Sequence, residues 1–91
     1  MPEISRFFGI IVAIFYDDHN PPHFHARYGN QKVAVEIDTL KVLYGEISPR
    51  ALGLIVEWAA LHQTELLNNW KLAEANKPLT WIIHKNSKKY S

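Results

Sequence analysis

A continuous hydrophobic run near the start of the chain is ended by polar, turn-forming residues. The run spans residues 7–15 and is rich in Phe, Ile and Val. A run of this length and composition favours a buried central strand over a helix. Segment 17–22 follows it and ends in consecutive prolines, which cannot donate backbone hydrogen bonds. We therefore expect one strand followed by a turn.

The next segment predicts a hairpin. Short strands are expected over residues 23–28 and 32–37, and the second of these alternates apolar and polar side chains, as a strand with one solvated face does. Gly29-Asn30 between them is a hairpin-turn signal, because glycine accepts the positive φ that such turns require. A fourth strand is expected over residues 41–47, interrupted by Gly45.

One long helix is predicted after the strands. Ser48 and Pro49 provide a capping side chain and a proline at the first helical position, and the helix is expected to reach about Ala75. Lys77-Pro78 ends it, and residues 79–84 could add an edge strand. The apolar face predicted to pack on the sheet contains Leu52, Ile55, Val56, Ala59, Leu66, Leu67, Trp70 and Ala73.

The fold class that follows is α+β, an antiparallel meander of three to four strands followed by one long helix packed on the sheet. Because 91 residues support one hydrophobic core, residues 1–84 are predicted to form a single domain. Residues 85–91 are predicted to be a basic, polar, frayed tail.

Composition narrows the function classes. The chain has no cysteine, so any metal would bind to His and carboxylate side chains. The first apolar run is too short to span a bilayer and no cleavage site follows it, so a cytoplasmic protein without membrane contact is expected. The formal net charge is only +1, and the lysines near the C-terminus are more often a solubility feature than a binding site.

The most chemically distinctive segment is residues 17–25, which contains three histidines and two aspartates. On a strand, His23 and His25 would leave the same face while Phe24 points into the core. His19 could fold back towards them across the Pro-Pro bend. Together with Asp17 and Asp18 this is a nitrogen and oxygen ligand set that zinc or a similar divalent ion accepts.

Two other interpretations of the same segment stay open. The histidines could be acid–base or phosphate-contacting groups of a metal-free site, to which Arg27 adds a positive charge and Tyr28 a hydroxyl group. They could also be structural, capping backbone groups or facing solvent. His62 on the helix is a further candidate member of such a site, but we favour a half-buried histidine that is hydrogen-bonded to Glu65 or to a backbone carbonyl.

Three segments together resemble a known family. They are residues 1–11 (MPEISRFFGII), residues 16–25 (YDDHNPPHFH), and a helical set that contains Glu57-Trp58-Ala59, His62, Glu65-Leu66-Leu67 and Asn69-Trp70. This combination resembles the bacterial family named domain of unknown function 4160 (DUF4160), over about residues 1–78. The motif residues carried over as candidate site residues are Asp17, Asp18, His19, His23, His25, Tyr28 and His62.

The resemblance implies a small cytoplasmic protein with a cognate small protein as partner, because family members are often encoded in toxin–antitoxin-like operons. Our first hypothesis is therefore one component of such a pair, with a His-rich site that acts on or contacts RNA. The alternative is a non-enzymatic partner-binding module whose histidine segment binds a divalent metal. Whether the protein is an enzyme, whether it uses a metal such as zinc or no cofactor, and whether it forms a homo-oligomer stay open. The candidate catalytic residues are His23, His25, Arg27, Tyr28 and His62, and the candidate metal ligands are Asp17, Asp18, His19, His23 and His25.

Overall fold

A computed structural model of the chain describes residues 2–84, so the predicted tail at 85–91 lies outside the described residues. The described chain forms one five-stranded sheet in which sequence neighbours pair antiparallel, followed by two helices. The predicted α+β meander is confirmed, with five strands in place of three to four and two helices in place of one. The elements are β1 (Glu3–Phe7), β2 (Ile10–Ala13), β3 (His23–Tyr28), β4 (Gln31–Glu36), β5 (Val42–Glu46), α1 (Pro49–Leu61) and α2 (Gln63–Glu74).

The first apolar run forms a hairpin, so the prediction of one strand over residues 7–15 was wrong. Phe7 pairs with Ile10, and the two residues between them, Phe8 and Gly9, have φ values of 50° and 80°. Positive φ at both central positions is typical of the type I′ turn, whose twist matches that of the flanking strands. The hairpin adds β1 as an edge strand that the sequence pattern did not indicate.

The second hairpin agrees with the prediction. Tyr28 pairs with Gln31 across the Gly29-Asn30 turn, and Gly29 has a φ of 63°. β5 continues through Gly45, while its pairing with β4 shifts register between Ala34 and Val35. Gly45 has a φ of 91°, and a Cβ atom there would lie 2.4 Å from the Lys32 carbonyl oxygen.

The long helix is divided at His62, which corrects the prediction of a single helix. Its start is as expected, because the Ser48 hydroxyl accepts a hydrogen bond from the Ala51 amide and Pro49 is the first helical residue. At the division, His62 has a φ of −129° and is not helical. The Gln63 side chain donates to the Ile37 carbonyl oxygen at 2.8 Å, which ties the start of α2 to the end of β4.

Residues 79–84 run beside β1 without forming the predicted edge strand. One backbone hydrogen bond joins them to the sheet, from the Ile82 amide to the Ile4 carbonyl oxygen at 2.7 Å. The Asn69 side chain donates to the Thr80 carbonyl oxygen and accepts from the Thr80 amide, at 2.9 Å and 2.7 Å. This segment is thus held by a side chain of α2 as much as by the sheet.

The buried core contains side chains of the sheet and of both helices, and α1 packs on one face of the sheet. Phe24 and Ala26 of β3 are buried there, and the Phe24 ring contacts Trp58 of α1 at a centroid distance of 6.2 Å. Because side chains alternate along a strand, His23 and His25 leave β3 on the opposite face, the second face of the sheet. No helix within residues 2–84 has the length and apolar character needed to cross a membrane.

Candidate functional site

Strand β3 brings two histidines together, as the sequence predicts. The His23 and His25 rings have centroids 5.1 Å apart on the second face of the sheet. The His23 side chain is 7% exposed and the His25 side chain 23% exposed. The pair is therefore largely shielded from bulk water, with His25 on the solvent side.

Asp18 reaches this pair from the turn that follows β2. Its Oδ2 atom lies 3.1 Å from His25 Nε2 and 3.6 Å from His23 Nε2. The turn is closed by contacts between Asp18 and Phe15, in which each residue's backbone amide donates to an oxygen of the other at 3.4 Å. The turn after β2 thus places a carboxylate over β3.

One nitrogen of His23 has a hydrogen-bond partner and the other has none among residues 2–84. Nδ1 lies 2.8 Å from the Pro21 carbonyl oxygen, and a carbonyl oxygen only accepts, so Nδ1 carries the proton. Nε2 is buried and forms no hydrogen bond within the described chain. In the neutral ring Nε2 carries a lone pair, which faces the Asp18 carboxylate. Two electron-rich atoms facing each other at 3.6 Å leave a favourable position for a cation.

The spacing of the three donor atoms suits a divalent ion. Asp18 Oδ2, His23 Nε2 and His25 Nε2 all lie within 4.8 Å of one another. Zinc binds nitrogen and oxygen ligands at about 2.0–2.2 Å in tetrahedral geometry, which implies ligand-to-ligand distances of about 3.3–3.5 Å. The observed distances from Asp18 Oδ2, 3.1 Å and 3.6 Å, lie on either side of that range. The third pair of donor atoms, His23 Nε2 and His25 Nε2, lies within 4.8 Å.

Burial controls the protonation of the more exposed histidine. Removal from water lowers the pKa of His25 below its ordinary value of 6.5, the nearby Asp18 carboxylate opposes that shift, and His23 adds to it. The result is a His25 ring that is neutral at neutral pH. A neutral imidazole is the form that binds a metal or accepts a proton.

Aromatic side chains surround the histidine pair. The Phe15 ring lies 4.6 Å from the His25 ring, the Trp70 ring lies 5.3 Å from the His23 ring, and Tyr44 is 6.1 Å and 6.4 Å from the two rings, measured between centroids. Tyr44 of β5 was missed by the sequence reasoning, and only the pairing of Ala34 with Tyr44 would have indicated it. Trp70 was taken as a core residue alone.

Comparison with protein families agrees with the sequence resemblance. The family model described as "Domain of unknown function (DUF4160)" matches residues 9–71, which is more than half of the chain and includes the three donor residues. The chain belongs to the DUF4160 family. No curated protein and no solved structure matches it. Because the family description assigns no activity, the function of this DUF4160 protein must be argued from its site.

Several candidate residues of the DUF4160 chain lie outside the cluster. Asp17 and His19 are exposed in the turn. Tyr28 is exposed at the far end of β3 and shares the face of Phe24 and Ala26. His62 lies at the junction of the two helices, where its Nδ1 pairs with the Glu65 carboxylate. That pairing agrees with the structural alternative favoured for His62.

Arg27 lies on the same face of the sheet as His23 and His25 but is not part of the cluster of Asp18, His23 and His25. It follows His25 by two positions on β3, and the two side chains line one shallow depression. The structure therefore brings together Asp18, His23 and His25, with Arg27 beside them.

Proposed function

We propose that this DUF4160 protein binds a divalent transition-metal ion, of the kind represented by zinc, through Asp18, His23 and His25. The observation that carries the proposal is the convergence of three donor atoms within 4.8 Å, one of them a buried nitrogen that forms no hydrogen bond with residues 2–84. Two imidazoles and one carboxylate are ligands that zinc and related ions accept. Asp17 and His19, which belonged to the predicted ligand set, are not needed.

The surroundings of the three residues support the same function. Metal-binding histidines usually donate their second ring nitrogen to a carbonyl or carboxylate, and His23 donates its Nδ1 proton to the Pro21 carbonyl oxygen. Three protein ligands leave a tetrahedral ion one open position, which is the arrangement of catalytic rather than structural zinc sites. A water molecule there would be acidified by the ion, and the neighbouring aromatic rings limit competing solvent.

Isothermal titration calorimetry with zinc chloride tests the proposal. The protein should carry no histidine tag and should first be stripped of metal with a chelator. We expect one ion to bind per chain, and we expect Asp18→Asn, His23→Gln and His25→Gln each to weaken binding by at least about tenfold, since each removes one ligand.

Matched controls lie in the same chain. His19→Gln removes an exposed histidine from the same turn, and His62→Gln removes a histidine that is paired with a carboxylate elsewhere. Both variants should bind zinc as the parent does. Equal loss in the controls and in the three site variants, or no binding by the parent protein, would refute the proposal.

A metal-free role in RNA chemistry is the second candidate. The favouring observation is the hydrogen bond between His25 Nε2 and Asp18 Oδ2 at 3.1 Å, since a carboxylate that orients a neutral imidazole is a general-base arrangement. The associated toxin–antitoxin role predicts that induced expression inhibits growth and that His25→Ala abolishes the inhibition. Absence of inhibition by the parent protein would remove this candidate. The cognate small protein, the homo-oligomer and the cytoplasmic location stay predictions.

A further inference from the structure

A shallow depression adjoins the candidate metal site on the second face of the sheet. It measures about 220 Å³, and His25 contributes to its wall. Its floor is formed by small or apolar side chains, and Arg27 and Lys32 supply its charged part. One of the three proposed metal ligands therefore opens onto a space that also contains two cationic groups.

The cations belong to a row that crosses the sheet. Strand pairing places Arg6 opposite Ile11, Ile11 opposite Arg27 and Arg27 opposite Lys32, with Glu46 opposite Lys32 at the outer strand. Directly paired residues point to the same face of a sheet. The parallel row through His25 contains Ala13 and Ala34, and the small side chain of Ala13 lines the depression beside the ring.

Only part of this positive charge is compensated within the described chain. The Arg6 guanidinium forms two hydrogen bonds with the Glu3 carboxylate, at 2.7 Å and 2.9 Å. Arg27 and Lys32 form no ion pair or side-chain hydrogen bond with any of residues 2–84. The Glu3 pKa is lowered chiefly by its hydrogen bond with Arg6, and the charge of Arg27 adds a smaller contribution. The depression thus contains two cationic side chains beside one proposed metal ligand, His25.

We infer that this depression binds a phosphate ester, with one phosphate oxygen on the metal ion and others on Arg27 and Lys32. The inference rests on the proposed metal site. His25 and Arg27 are two positions apart on β3, about 6.6–6.8 Å along the strand, and both line the depression, so an anion bound to Arg27 there lies next to the one proposed ligand that the depression contains. Arginine matches a phosphate with two parallel hydrogen bonds, and lysine adds a single charge.

The size of the depression limits the ligand. Pockets that enclose drug-sized molecules measure about 300–1,000 Å³, which is more than this depression provides. It therefore accommodates the phosphate and the group attached to it, either as a small monoester or as one residue of a longer chain. The apolar floor formed by Ile11 and Phe15 suits a sugar or base edge next to the phosphate.

Cobalt-loaded protein provides the test, because the visible absorption of cobalt(II) reports both metal binding and a change of its ligands. The metal-loaded chain is titrated with inorganic phosphate and with adenosine monophosphate. We expect the spectrum to change, and we expect Arg27→Gln to weaken phosphate binding by about 10- to 100-fold, the loss associated with one charged hydrogen-bonded contact. Lys32→Gln should weaken it less.

Arg50→Gln is the matched control, because it removes an exposed arginine on α1 that lines a different depression. It should bind phosphate as the parent does, and all three variants should keep one cobalt ion per chain. Unchanged phosphate affinity in Arg27→Gln, or a cobalt spectrum that phosphate does not alter, overturns the inference and leaves the metal site intact. Absence of cobalt absorption overturns the metal site itself.

Two further ligands show whether the phosphate belongs to a small molecule or to a nucleic acid. A short single-stranded RNA with a 5′-hydroxyl group offers only internal phosphodiesters, whereas adenosine monophosphate offers a terminal monoester. Tighter binding of the nucleotide identifies a small-molecule phosphate, and tighter binding of the RNA identifies a nucleic-acid backbone. Binding of neither, with cobalt in place, contradicts the inference.

Discussion

Replacement of His23 by leucine should show separately how this buried histidine affects stability without metal and how it affects zinc binding. The side chain is 7% exposed, and its Nε2 atom has no hydrogen-bond partner in residues 2–84. Leucine has a similar volume and needs no partner, so metal-free His23→Leu should be at least as stable as the parent protein. In the presence of zinc the order should reverse, because only the parent retains both imidazole ligands.

The magnitude follows from two opposing terms. Relieving an unsatisfied buried nitrogen is worth about 1–3 kcal/mol, while losing the hydrogen bond from Nδ1 to the Pro21 carbonyl oxygen costs about 0.5–1.5 kcal/mol. Pro21 is exposed, so water can replace that bond. The net gain is on the order of 1 kcal/mol, or about 4–8 °C in the melting temperature of a domain of this size. Zinc at one hundred times its Kd adds about 2.7 kcal/mol to the parent alone.

Thermal and urea unfolding with chelator and with zinc measure the reversal. His62→Leu is the control, because the His62 ring is paired with the Glu65 carboxylate and its loss relieves no unsatisfied atom. This control should not be stabilised in chelator and should respond to zinc like the parent. If metal-free His23→Leu is destabilised by more than about 1 kcal/mol, the stated balance of the two terms is wrong. If zinc stabilises this variant as much as the parent, His23 is not a ligand.

Three further predictions concern the fold and the pH response. Gly45→Ala should lower the free energy of unfolding by at least about 1–3 kcal/mol in urea titrations, because a φ of 91° strains a residue with a Cβ atom that would meet the Lys32 carbonyl oxygen. Asn69→Leu should remove both hydrogen bonds to Thr80 and increase amide exchange there, and unchanged exchange would contradict the proposed anchoring. Because burial lowers the pKa of His25 below 6.5, metal-free protein should lose stability as the pH falls below 6.5, where the unfolded chain binds the proton first. In His25→Gln, the free energy of unfolding should fall less than in the parent protein when unfolding curves measured above and below pH 6.5 are compared.

The parts of the fold that follow from local chemistry could be predicted from the sequence. Strand β3 has the expected bounds because prolines precede it and Gly29-Asn30 follows it. The first hairpin was missed because its turn places the non-glycine residue Phe8 at a positive φ, which few such residues adopt. Gly9 within an otherwise apolar run was the available signal.

The division of the long helix could not be predicted from periodicity. Apolar residues recur at helical spacing on both sides of His62, and no proline or glycine marks the junction. The start of α2 is instead held by Gln63, which donates to carbonyl oxygens of residues 37 and 38, 26 and 25 positions away in the chain. Such long-range contacts override local preference and have no counterpart in a sequence window.

The candidate site shows the same limit. The alternation of β3 predicts that His23 and His25 share a face, and the structure places them there. The choice between the adjacent residues Asp17 and Asp18 depends on the backbone of the turn, which points only Asp18 at the histidines. Tyr44 joins them through a strand register that contains a bulge. Residue spacing alone predicts neither the choice of Asp18 over Asp17 nor the position of Tyr44 beside the histidines.

X-ray absorption at the zinc edge of the one-to-one zinc complex gives the strongest test of whether Asp18, His23 and His25 bind the metal, because it reports the atoms bound to the ion. We expect two imidazole nitrogens and one carboxylate oxygen at about 2.0–2.2 Å from the zinc ion, with further positions filled by water. His25→Gln, where it still binds zinc, should show one imidazole fewer, and His19→Gln should leave the spectrum unchanged. A zinc ion without imidazole ligands, or with two imidazole ligands still present in both His23→Gln and His25→Gln, would contradict the proposed metal site.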